Sequence, residues 1–97
     1  PYAGEAAYHQ ALASFQLTEY KQAELQAKSA ANHPVFRARA LTLYGDAIFA
    51  QGDVRRAKGI FIGLRKQFAG ADRMTATRKI AACNQALKLP DLDGVSD

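Results

Sequence analysis

Cysteine occurs once in these 97 residues, at Cys83, which excludes an intramolecular disulfide and any zinc site built from several cysteines. Long apolar runs are also missing. The longest are short and interrupted, so no segment supplies the roughly 20 apolar residues that a bilayer-spanning helix needs. No secretory leader is visible. The chain begins at Pro1 without a methionine, as expected of a piece of a longer protein, and a removed targeting segment would leave no trace. The expected compartment is the cytoplasm, or the periplasm if such a segment was cleaved. No stretch alternates apolar and polar residues as a half-buried strand does. With 48% apolar and 23% charged residues, the composition is that of one small globular domain and excludes disordered and collagen-like classes.

What the sequence does contain is a repeat. Ala11-x-Ala13-x-Phe15 followed by Tyr20-Lys21-Gln22-Ala23 returns 34 residues later as Gly45-x-Ala47-x-Phe49 followed by Val54-Arg55-Arg56-Ala57. Ala6/Ala40 is a further identity at this offset, while Glu19/Asp53 and Lys21/Arg55 keep charge. A period of this length is that of stacked helical hairpins, whose product is a binding surface rather than a reaction.

Periodicity and punctuation predict five helices, over about 4–17, 20–31, 35–51, 54–68 and 72–88, with a polar acidic tail over 90–97. Pro34 separates the two hairpins, since proline is tolerated only in a helix's first turn. Gly52-Asp53 turns the chain, with Asp53 as the N-cap of the next helix, and Thr18-Glu19 fills the equivalent place. Gly70-Ala71-Asp72 ends the fourth helix and offers Asp72 as the cap of the fifth. At 100° per residue the fourth helix buries Ala57, Ile60, Phe61, Leu64 and Phe68 and turns Arg55, Lys58, Arg65 and Lys66 outward. Gly45 with Ala57, and Ala11 with Ala23, are the small pairs expected where paired helices approach. Ala76, Ile80, Cys83 and Leu87 form a stripe on the fifth helix, which reads as the first helix of a third unit offset by about 36 residues.

Leu41, Tyr44, Gly45, Asp46, Ala47 and Ile48, followed by Gly52, Asp53, Ala57, Phe61 and Leu64, resemble the tetratricopeptide repeat, and residues 4–35 resemble it in turn. The resemblance implies an all-α, right-handed stack of antiparallel hairpins of about two and a half repeats over 1–89. It also implies a concave groove lined by the first helix of each hairpin. By position, that groove takes Tyr8, Leu12 and Phe15 from the first unit, Arg39, Thr42, Asp46 and Phe49 from the second, and Arg78 and Gln85 from the third. The lysine/asparagine clamp of chaperone-tail binders is absent, because Tyr8, Leu12 and Leu43 stand at its places. Residues 52–68 with Lys79-Ile80-Ala81-Ala82-Cys83 are similar to bacterial envelope-assembly tetratricopeptide proteins. Leu43–Phe49, Arg55-Arg56-Ala57 and the same 79–83 run also resemble the tetratricopeptide subunits of the anaphase-promoting complex.

Chemistry is sparse. Asp46, Asp53 and Asp72 have no second carboxylate at acid/base spacing and read as solvated or capping residues. His9 and His33 lack ligand-type neighbours, so no metal site is expected. Cys83 reads as a small buried hydrophobe. Gly59 and Gly63 have the spacing of close helix contacts, which arises readily by chance in soluble helices. No phosphate loop, nucleotide site or catalytic constellation is present, and neither enzyme activity nor a cofactor is expected.

Charge is more informative. From Arg37 to Lys88 eleven Lys/Arg face three acids, a local balance of +8, whereas Asp91, Asp93 and Asp97 make the tail acidic. The expectation is a non-catalytic protein-interaction or assembly module that binds a partner segment in the groove. An alternative face is Arg55, Lys58 and Lys66 around an outward Ile62, which reads either as a docking patch or as a solvated charged surface. Two other readings compete: nucleic-acid binding through the basic second half, and self-association through the fifth helix, whose Ile80/Leu87 stripe has no later helix to cover it.

Overall fold

The computed structural model describes residues 3–89, so the acidic tail expected over 90–97 lies outside the described residues. Five α-helices follow one another: α1 (Ala3–Gln16), α2 (Tyr20–Ala30), α3 (Arg37–Ala50), α4 (Val54–Gln67) and α5 (Gly70–Leu87), with a 3-10 turn over Pro34–Phe36 before α3. Each helix packs against its neighbours in sequence, and α3 also touches both α1 and α5. The result is an elongated stack, 41 × 27 × 15 Å, in which α1, α3 and α5 make one layer and α2 and α4 the other. This is the architecture of a helical repeat protein. Among the described residues no helix is long and apolar enough to cross a membrane.

The turns repeat bond for bond. Thr18 N–H donates to Phe15 O at 3.0 Å and Glu19 N–H to Ser14 O at 2.9 Å; 34 residues on, Gly52 N–H donates to Phe49 O at 2.9 Å and Asp53 N–H to Ile48 O at 3.3 Å. Both are Schellman ends, which satisfy helix carbonyls through a left-handed residue: Thr18 has φ 62 and Gly52 φ 91. The end of α5 is built the same way, with Lys88 at φ 59, Lys88 N–H on Gln85 O at 3.1 Å and Leu89 N–H on Asn84 O at 2.8 Å. Lys88 follows Gly52 by 36 residues, the offset read from the fifth helix.

Asp53 caps α4 by accepting from Arg56 N–H, whereas Glu19 takes the same backbone conformation without a side-chain cap. Asp72 departs from expectation. The fifth helix already begins at Gly70, with Ala69 in the cap position, because Gly70 at φ 65 redirects the chain two residues earlier. Asp72 thus lies in the first turn, where its charge still favours the helix N-terminus.

Burial and close contacts refine further expectations. Arg65 is only 4% exposed, and Ile62 is half-buried and packs against the core. Helix α4 is covered by α3 on one side and by α5 on the other, so its buried arc is wider than one apolar stripe. Cys83 is fully buried, as its reading as a small hydrophobe expects, but Ile80 is fully buried too, because the stripe faces backward onto α4 rather than forward. Finally, a Cβ at Gly45 would meet the Phe61 ring at 2.6 Å, so the close contact of the second hairpin is with Phe61. Gly59 and Gly63 have open space around them and make no close helix contact.

Candidate functional site: a groove across α1, α3 and α5

The layer of α1, α3 and α5 carries a cleft of about 310 Å³. Tyr8, Leu12 and Phe15 line it from α1, Arg39, Thr42, Leu43 and Asp46 from α3, and Asp72 and Thr75 from α5. These side chains meet because each sits on the face of its helix turned away from α2 and α4. Apart from Leu43, which follows Thr42 directly and belongs to the core, they recur every three or four residues, which keeps each set on one side of its helix.

The α1 wall is held in place by aromatic contacts. Tyr8 stacks on Phe36 of the 3-10 turn with ring centroids 5.8 Å apart, and Phe15 meets Tyr20 edge to face at 5.2 Å. On the opposite side Lys79 Nζ lies 2.8 Å from Asp46 Oδ1 and ties α5 to α3. Burial pushes the Asp46 carboxyl above the ordinary range, and the Lys79 hydrogen bond and charge only partly offset this. The Thr42 hydroxyl donates to Ala38 O at 2.8 Å and is occupied within its own helix.

Beyond the Asp46–Lys79 bridge the groove continues as a smaller hollow of about 130 Å³, lined by Asp46, Phe49, Phe61, Lys79 and Ala82. Six of the expected groove residues, Tyr8, Leu12, Phe15, Arg39, Thr42 and Asp46, therefore share one cleft, and Phe49 sits in the adjoining one. Arg78 and Gln85 do not join them. They line a separate hollow with Ala81, Ala82 and Leu89. Phe15 and Phe49 also pack against the core, so each seals its hairpin and faces the groove at once. Asp72, Thr75 and Lys79 went unassigned to the groove in the sequence; Thr75 stands 36 residues after Arg39, so the longer third-unit offset would have found it.

The basic face is less open than the sequence suggests. Arg55 and Lys66 are exposed, but Lys58 and Ile62 are half-buried. Several other cations are engaged with groups of the stack. Arg56 Nη2 donates to Glu24 Oε2 at 3.1 Å and to Tyr44 Oη at 3.0 Å, Arg73 donates to Arg65 O at 3.0 Å and Arg37 to Ala31 O at 3.2 Å.

Cys83 is buried, and burial raises its thiol pKa, which disfavours the thiolate a nucleophile would need. Among the described residues no group of three or more His, Cys, Asp or Glu side chains could hold a metal ion. Comparison with family models, with curated proteins and with solved structures finds no match.

Proposed function

We propose that this chain is a non-catalytic protein-interaction module of tetratricopeptide type, about two and a half repeats long, that binds a partner segment in the groove across α1, α3 and α5. The observation that carries the reading is the cleft itself. A cleft made from alternate helices of a stack, with Tyr8, Leu12 and Phe15 on one wall and polar groups on the other, is a form suited to holding a peptide segment. Aromatic side chains in such a position are the residues that dominate interface energetics. The two repeated Schellman turns and their counterpart at Lys88 support the repeat assignment. A role within a larger assembly, of the kind served by anaphase-promoting-complex subunits or bacterial envelope-assembly proteins, fits the same geometry.

Nucleic-acid binding is supported less well, because Arg37, Arg56, Arg73 and Lys79 are engaged with groups of the stack itself. Self-association through the α5 stripe is also supported less well, since Ile80 is fully buried and Leu87 half-buried. The test is substitution in the groove. Phe49→Ala and Arg39→Glu should each weaken binding of a partner segment while leaving helical content by circular dichroism unchanged. If both leave affinity unaltered and reversing the exposed charges Arg55 and Lys66 abolishes it, the binding surface is the α4 face.

A further inference from the structure

Two polar groups of the cleft are already occupied. Asp46 is held by Lys79 and the Thr42 hydroxyl by Ala38 O, and the Tyr8 and Phe15 rings are fixed by Phe36 and Tyr20. Two charges remain. Arg39 on α3 and Asp72 on α5 line the same cleft, are exposed, and make no ion pair or side-chain hydrogen bond among the described residues. They are of opposite sign and stand on neighbouring helices of the layer, opposite the apolar wall of α1.

Resting on the groove reading above, we infer that the partner segment carries an aromatic or long aliphatic anchor for the Tyr8–Leu12–Phe15 wall together with one acidic side chain for Arg39 and one basic side chain for Asp72. Covering either charge without a complement carries a desolvation penalty. A uniformly acidic segment, or a polyanion such as nucleic acid, would set like charge against Asp72; a uniformly basic one would do the same at Arg39. Like-charge juxtaposition suppresses wrong partners, and complementary charge fixes register. The order of the two charges along the segment therefore sets the direction in which it lies.

Random peptides displayed on phage, selected in parallel on the wild-type chain and on an Arg39→Asp/Asp72→Lys double variant of the same net charge, test this. The expected wild-type pool combines an apolar anchor with one acid and one base in a constant order. The double variant should select the reverse order and bind a wild-type-selected peptide about fivefold more weakly. Pools with charge of one sign, or the same pool on both proteins, would overturn the inference while leaving the groove reading intact, provided that Phe15→Ala still lowers binding. No enrichment at all, or enrichment indifferent to Phe15→Ala, would remove the groove reading and the inference with it.

Discussion

At Gly45 a Cβ would lie 2.6 Å from one carbon of the Phe61 ring and 2.7 Å from the next. Phe61 is itself buried in the core, so shifting the ring disturbs its packing. Gly45→Ala should therefore destabilise the fold by about 2 kcal/mol in chemical denaturation, the usual cost of overpacking, although alanine is the better helix former. Glu24 makes a different kind of prediction. It is 4% exposed and joins three helices: Gln51 Nε2 donates to its Oε1 at 2.8 Å and Arg56 Nη2 to its Oε2 at 3.1 Å. Burial alone would push its pKa up, but the Gln51 and Arg56 hydrogen bonds and the Arg56 and Lys21 charges outweigh that and hold it below the ordinary value. Its stabilising contribution is then fully present above the unfolded-state value of about 4.3 and is lost as pH falls through the lower folded-state value. Asp46, raised by burial, drifts the other way. Comparing urea midpoints of wild type and Glu24→Gln from neutral to acid pH cancels Asp46, and the wild-type advantage should shrink only on the acid side.

Helices α1 and α3 are repeat equivalents in unequal surroundings. Ala40, Tyr44 and Ala47 of α3 are buried against the rest of the stack, and in α5 the corresponding Ala76, Ile80 and Cys83 are buried too. On α1 the same positions, Ala6, Gln10 and Ala13, are exposed, and Leu17, the equivalent of Gln51, is 67% exposed. A charge should accordingly be tolerated on one helix and not on the other. Ala13→Glu should change stability by no more than about 0.5 kcal/mol, whereas Ala47→Glu, which buries an unpaired carboxylate, should cost about 3 kcal/mol or more or prevent folding; thermal melts followed by circular dichroism decide it. Elements of this kind were legible in the sequence because their signals are local. Glycine, proline and the Asp53 cap mark turns, and the 34-residue identities align them. What could not be read was set by neighbours far along the chain: Arg65 and Ile62 look outward by periodicity, yet α5 folds over that flank of α4. For the same reason the α5 stripe was recognised while its direction was not.

Across the whole molecule, the stack places the first helix of each hairpin in one layer, and its groove brings together residues as far apart in sequence as Tyr8 and Thr75. The α1 and α3 linings followed from the repeat register, since equivalent positions on equivalent helices face the same way. The α5 contribution was blurred by the two added residues before the third unit and by Gly70 starting the helix early. The Asp46–Lys79 bridge divides the groove into two hollows, a feature of side-chain reach that register alone does not give. Under the proposed function the partner segment lies in this groove. The most direct test is amide chemical-shift mapping of the chain titrated with a peptide selected on it. Perturbations centred on Tyr8–Phe15, Arg39–Phe49 and Asp72–Lys79 are predicted; perturbations centred on the exposed flank of α4 around Arg55 and Lys66, with the groove silent, would contradict it.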